Sequence, residues 1–365
     1  MNSKNRPGLN SFLEAVGAQI RFSLLHAPFL QQLGKGLIKD RLLDYVIRGG
    51  KNMRPAMTCL ACGALGGEPE HAIDVGIAIE MTHTWTLVHD DIIDRDETRR
   101  GGPSIHAAIR MEYLDWQDHN PAMTPDHLGL SMALLIGDAQ HAMAMDILSY
   151  AGRSGRLPPE LALYLIGELE GKVLVALLSG EVDDIFQTGI PLNKITREEI
   201  LLMLERKTGA LLTFSVVSGG LVALGTPNPT HPYIQALKTY GNNLGIAFQL
   251  KDDILGITGN EQTLGKPIGS DFKEGKRTLA VKTAWENASP NEKKRIETLL
   301  GKTDLKEDEA LEMRSLVIST GALDQTERLA SQHIDLALEA LMTLPETHYR
   351  NLLADIATFT ITRKK

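Results

Sequence analysis

Apolar residues recur at three- and four-residue spacing along almost the whole chain, and no sustained alternation of period two appears, so the pattern predicts helices and no sheet. The first helices are expected over Phe12 to Leu25 and Leu30 to Ile47, broken at Pro28. A Gly- and Pro-poor run from Ala72 to Arg95 predicts one continuous helix. Further helices are expected over Leu130 to Tyr150, Glu160 to Phe186, a segment carrying Glu205 to Thr208, and Tyr233 to Ile257. Turns fall at Gly152 to Pro159, Gly189 to Thr196 and the proline-rich Thr226 to Pro232. Two polar stretches, Glu112 to Pro125 and Thr258 to Lys276, read as surface loops, and amphipathic helices with turns near Pro290, Gly301 and Gly321 complete the chain. No repeat of fixed period is present. The expected class is all-α, with one domain over 11–365 after a polar, flexible tail at 1–10.

Composition narrows the function. A formal charge of −8 and the lack of basic runs interleaved with aromatics argue against nucleic acid as a partner. Cys59 and Cys62 form a lone C-x-x-C without a second pair, which fits small core residues better than a zinc site. The N-terminal residues lack the apolar segment of a signal peptide, and no apolar run is expected to span a bilayer, so a cytoplasmic location is anticipated.

Chemistry concentrates at two acidic helix ends. In LVHDDIID, residues 87–94, Asp90 and Asp94 are four apart and share a helix face, with Asp91 to the side. Like charges on a mostly apolar helix call for a cation between them, and Mg²⁺ commonly joins one or two carboxylates to a substrate phosphate. Arg99 and Arg100 follow closely and are suited to gripping phosphate. Asp252 and Asp253 close the second long helix in FQLKDDILG, residues 248–256. Near the N-terminus, GGKNMRP at 49–55 places Lys51 and Arg54 in a glycine-flanked turn at the mouth of a helix, a setting that receives anions. Asp138 is expected as a buried, hydrogen-bonded acid, Asp183 and Asp184 as a solvated helix end, and Arg363 to Lys365 as a basic tail.

GGKNMRP, LVHDDIID, RDETRRGGPSIH at 95–106, the Lys207-Thr208 pair, FQLKDDILG, LGKPIGSD at 264–271 and EGKRT at 274–278 together resemble the trans-isoprenyl diphosphate synthases. The resemblance implies the isoprenoid synthase fold, a helical bundle around a deep cavity, in a homodimer. It also implies head-to-tail condensation of isopentenyl diphosphate with an allylic diphosphate. Asp90, Asp94 and Asp252 would bind three Mg²⁺ ions on the allylic diphosphate. Arg99, Lys207, Thr208, Gln249, Lys266 and Lys276 match positions holding that diphosphate, while Gly50, Lys51, Arg54, His83 and Arg100 match those holding isopentenyl diphosphate. Among these, Asp90, Asp94, Arg99, Lys207, Asp252 and Lys266 are the expected catalytic set. Two departures stand out: Gly256 replaces a third aspartate of the second motif, which puts the grip on the third metal in doubt, and the loop around Gln117 to His127 is long. The 258–276 loop is the expected lid.

Two rival functions share parts of this pattern. A class I terpene cyclase needs no second diphosphate site, so GGKNMRP and Arg99-Arg100 count against it; a non-catalytic prenyltransferase subunit generally loses motif charges that are retained here. Product length is expected to be set by Thr82 and Thr86, which form a stripe with Ala78 beside the Asp90 face, and by the bulky Trp85 flanking it. An indole there would floor a cavity about 5–10 Å below the metals. By resemblance this favours geranylgeranyl diphosphate, with farnesyl diphosphate second and the helix of Leu174 and Leu178 as an alternative floor.

Overall fold

A computed structural model describes residues 8–114, 118, 120–259 and 269–363. The described residues are almost entirely helical and divide into two compact units that interleave along the chain: residues 1–166, 218–229 and 347–349 form one, and 167–217, 230–346 and 350–365 the other. The expected polar tail lies outside the described residues except at its end, where Leu9 already opens the first helix.

In the first unit, α1 (Leu9–Leu25) packs on α5 (Met53–Ala64) and α6 (Ile73–Ile93). The helix expected over 30–47 is instead three short ones, α2 (Pro28–Gln32), α3 (Leu37–Arg41) and α4 (Asp44–Ile47). Gly34 and Gly36 cause the break, since both adopt positive φ, a conformation that ends a helix. Nearly every residue of α5 is buried, and α6 is apolar on almost all sides, as befits a central helix. Between α7 (Ile105–Glu112) and the end of α6, a small hairpin pairs Thr98 with Pro103 and Arg99 with Gly102. Its two-residue turn is Arg100-Gly101, both at positive φ, which matches the twist of the flanking strands. A long α8 (Pro125–Arg153) packs against α6 and α7. It starts earlier than periodicity indicates because Thr124 caps it by accepting from the His127 N–H, with Pro125 in the first turn. Asp138 is exposed on α8, contrary to expectation, because the helix turns Gly137 and Gln140 inward instead.

In the second unit, α9 (Pro159–Glu168), which begins in the first unit, continues through a π turn, Leu169–Val173, into α10 (Leu174–Gln187). The next helix likewise runs from α11 (Arg197–Leu204), opened by a Thr196–Glu199 capping box, through a second π turn, Glu205–Gly209, into α12 (Ala210–Leu224). This 28-residue helix is long and apolar enough, by length and composition alone, to cross a membrane, but 61% of its most apolar window is buried inside the protein, as in a core helix, so the described residues hold no clear membrane span, as the sequence leads one to expect. The helices α13 (Pro232–Thr258), α14 (Ser270–Glu274), α15 (Leu279–Asn287), α16 (Pro290–Leu299), α17 (Glu307–Ser319), α18 (Ala322–Leu341) and α19 (His348–Thr362) follow. α13 lies along α18, and Phe272, Ala280, Ile296, Met313 and Val317 form one core cluster of this unit.

Candidate active site

The first acidic helix end is ordered by its middle residue. Asp91 is fully buried; one oxygen accepts from the Tyr45 hydroxyl, and the other accepts from the Arg99 Nη2 and from its Nε at 2.7 Å. Tyr45 is itself buried, and its hydroxyl oxygen accepts the Ile105 N–H at 2.9 Å, so this network fastens α4, α6 and α7 together. Burial pushes the Asp91 carboxyl up, while the Arg99 and Tyr45 hydrogen bonds pull it back. Asp91 is thereby spent on structure. Asp90 and Asp94, one turn apart, stay half-exposed on the remaining face.

The hairpin separates the two arginines. Arg99 reaches Asp91 and, at 3.0 Å, Asp96. Across the turn, Arg100 donates to the Tyr45 carbonyl at 2.6 Å and lies 3.4 Å from the buried Glu80. The guanidinium rests on Gly50, where an added Cβ would come within 3.1 Å of its carbon. Arg48 steadies the hairpin from behind, donating to the carbonyl of Pro103 at 2.6 Å. In the neighbouring turn, Asn52 at positive φ starts α5 and donates to the Gly50 carbonyl, with Lys51 exposed beside it. Arg54 Nη1 lies 3.1 Å from His83 Nε2. A guanidinium can only donate, so that nitrogen accepts and the imidazole is neutral. Burial and the Arg54 charge hold His83 well below the ordinary histidine range, in agreement. Gly50, Lys51, Arg54, His83 and Arg100 are thus brought together with Glu80, which the motif reading missed. A lone acid in the apolar run Ile77-Ala-Ile-Glu-Met81 was the available signal.

Trp85 is 8% exposed, and its ring centroid lies 5.1 Å from that of His141 and 5.4 Å from that of His89. Gly137 makes room chiefly for His89, whose Nε2 an added Cβ would approach to 2.3 Å, and also for the indole at 3.2 Å. The indole therefore packs on α8. Thr82 and Thr86 turn their hydroxyls back to the carbonyls of Ala78 and His83, at 2.9 and 2.8 Å.

In the second unit, the π turn at Glu205–Gly209 carries Lys207 and Thr208; a π turn adds a residue to the helix and redirects side chains, a device frequent at functional sites. Lys207 Nζ is held between Glu181 at 2.7 Å and Asp184 at 2.6 Å. Asp184 is therefore a mostly buried partner of a site lysine rather than a solvated helix end, while the half-exposed Asp183 pairs with Arg206 at 2.9 Å. Thr208 donates to Gln249 at 3.0 Å, and Gln249 donates to Asp253 at 3.1 Å. Asp253 is buried, and desolvation with Asp271, Asp252 and Asp184 nearby pushes its carboxyl well above the usual range. Asp252 is the more accessible of the pair and meets Arg363 at 2.7 Å. Arg363 is buried, stacks 3.9 Å over Phe248 and donates to its carbonyl at 2.9 Å, so it is not a plain basic tail. Lys276 pairs with Glu274 at 2.8 Å. Lys266 and most of the expected lid lie outside the described residues.

The departure at Gly256 has a physical partner. An added Cβ would lie 2.8 Å from the Asp271 carboxylate, so a second-motif side chain is absent where another carboxylate stands.

Among the described residues, no three His, Cys, Asp or Glu side chains converge into a cage of their own. The half-exposed carboxylates of Asp90 and Asp94 are donors that fit Mg²⁺, which takes one or two carboxylates and completes its shell with water and phosphate oxygens.

Residues 38–317 match the polyprenyl synthetase family profile. The chain belongs to that family. As a polyprenyl synthetase it is an enzyme, a prenyltransferase of isoprenoid biosynthesis. It is 35% identical over 322 residues to the short chain isoprenyl diphosphate synthase of Methanothermobacter thermautotrophicus, covering 87% of this chain and 88% of that one. To the geranylgeranyl diphosphate synthase of Sulfolobus acidocaldarius it is 34% identical over 319 residues, covering 87% and 88%. Its fold superposes with a TM-score of 0.84 on geranylgeranyl pyrophosphate synthase from Corynebacterium glutamicum, solved with isoprenyl diphosphate and magnesium; there the identity is 27% and the coverage 98% and 100%. This polyprenyl synthetase has the all-α fold of those relatives.

Proposed function

We propose that the protein condenses isopentenyl diphosphate with an allylic diphosphate head to tail, with Mg²⁺, and that geranylgeranyl diphosphate is its product. The observation that carries this is the division of labour at the first motif: Tyr45 and Arg99 take Asp91, and Asp90 and Asp94 remain paired and accessible one turn apart. The names of the relatives above support the product.

When bound, the magnesium ions neutralise charge on the allylic diphosphate as its carbon–oxygen bond breaks. Asp90 and Asp94 would hold two ions and Asp252 a third. Lys207 and Lys276, both already oriented by carboxylates, together with Arg99, Lys266, Thr208 and Gln249, would bind that diphosphate by charge-assisted hydrogen bonds. Lys51, Arg54 and Arg100 would orient isopentenyl diphosphate, whose double bond attacks the allylic cation. A carbon–carbon bond forms, and a proton leaves to the departed diphosphate. Charges fixed beforehand act without reorganising during the reaction.

Farnesyl diphosphate is the second reading of the product, by the same family resemblance. We further propose a cytoplasmic homodimer, with Leu130, Leu134 and Leu135 as an apolar ridge on α8, 38–50% exposed, available to a second copy. Radiolabelled isopentenyl diphosphate supplied with dimethylallyl, geranyl or farnesyl diphosphate tests the function, with the dephosphorylated products resolved by chromatography. Twenty-carbon prenol is expected. No elongation with any primer would leave the non-catalytic subunit, and cyclic hydrocarbons would favour the cyclase.

A further inference from the structure

Glu80 is 3% exposed in the middle of α6, ten positions before Asp90, and no motif of the family resemblance includes it. A carboxylate at that depth is costly unless countercharges face it. Arg100 faces it at 3.4 Å, and the Arg54 charge also reaches it. Arg100 is fixed at a second point by the Tyr45 carbonyl at 2.6 Å and bears on Gly50. Arg54 is held by His83 at 3.1 Å. These contacts all lie within the first unit.

Two cations, Arg54 and Arg100, face this one carboxylate, with His83 neutral and Lys51 exposed in the adjoining turn. The cluster is therefore positive overall and suited to an anion. Its geometry is set from below by an acid too deep to be screened by solvent.

We propose that Glu80 is a positioning residue for isopentenyl diphosphate: its carboxylate aims the Arg100 guanidinium, and through its field Arg54, at the diphosphate. This rests on assigning Lys51, Arg54 and Arg100 to that substrate. The acid does not touch the ligand. Removing its charge leaves the cations in number but loosens their direction, so the loss falls on binding of one substrate.

The test compares Glu80→Gln, Glu80→Asp and Lys51→Ala in the full chain, measuring KM for each substrate and, by calorimetry, binding of isopentenyl diphosphate without an allylic partner. Glu80→Gln is expected to raise KM and Kd for isopentenyl diphosphate by about tenfold or more, the scale on which orienting partners act. KM for the allylic substrate should stay within about twofold, and Glu80→Asp should fall between. Equal rises in both KM values, or none, would overturn the positioning role. If Glu80→Gln does not fold, Glu80→Asp decides on the same criterion. Lys51→Ala separates the layers: if it leaves isopentenyl diphosphate binding intact, the site assignment itself fails, whereas a Lys51 effect without a Glu80 effect removes only the role given to Glu80.

Discussion

Asp90, Asp91 and Asp94 sit within five residues, yet the structure requires opposite responses to the same substitution. Asp91→Asn keeps the side-chain shape and one acceptor oxygen but deletes the charge that Arg99 and Tyr45 address in a fully buried place. Breaking a buried ion pair from one side costs about 3–5 kcal/mol. Arg99 is 23% exposed and keeps Asp96 at 3.0 Å, so the lower end applies, about 3 kcal/mol. Asp90→Asn and Asp94→Asn change half-exposed carboxylates, where removing a charge costs less stability than in a fully buried place, while turnover should fall by orders of magnitude. Urea unfolding in EDTA measures the stabilities, and initial rates across a magnesium titration measure the metal requirement. In Asp91→Asn the magnesium dependence of the surviving activity should match the wild type. The reasoning fails if Asp91→Asn unfolds at the wild-type midpoint, or if its chief defect is a raised magnesium requirement.

Arg363→Ala removes the cation now paired with Asp252, and calorimetric titration with Mg²⁺ and inorganic pyrophosphate should show affinity rising several-fold; a fall would mean that the arginine orients the carboxylate instead. Gly256→Ala presses a methyl toward the Asp271 carboxylate at 2.8 Å and should destabilise by about 1–3 kcal/mol; in an Asp271→Ala background the cost should vanish, as thermal unfolding of the four combinations will show. Trp85→Ala leaves a cavity beside Gly137 and His141 worth about 3–5 kcal/mol, and if the indole floors the chain-length cavity the prenol products will lengthen on chromatography while the first condensation persists. His83 carries a folded value well below its unfolded one near 6.5, so the stability it lends is complete above that pH and is lost as pH falls below it; acid unfolding of His83→Gln should lack this component.

Much of this was legible because it is local. Helical period and the two acidic ends fix α6 and α13 to within a few residues, and the Gly-Gly turn before Pro55 places Lys51 and Arg54 at a helix mouth. What escaped depends on contacts far apart in sequence. Nothing in residues 183–186 shows that Asp184 will meet Lys207, because that meeting depends on a π turn, and an inserted residue leaves no periodic trace in an apolar helix. Arg363 and Asp252 are more than a hundred residues apart and find each other through the stacking on Phe248. Asp91 looks like its neighbours until Tyr45 is seen beneath it. The break at Gly34 and Gly36 was within reach, since two glycines in a short helix are a stop signal that apolar spacing obscured.

The interleaving of the two units bears on how the chain is made. The first unit takes its last residues from 347–349, where Tyr349 packs on Phe12 and bears on Gly63, and an earlier piece from 218–229, where Gly219 closes against Thr58. A ribosome working from the N-terminus therefore cannot release that unit finished before Tyr349 has left the exit tunnel. The long helices α6 and α8 must wait with part of their apolar surface uncovered, the period in which growing chains need chaperones. Nor can a protease cut once and free an intact unit, so limited digestion should yield nicked protein that stays together rather than two separable fragments.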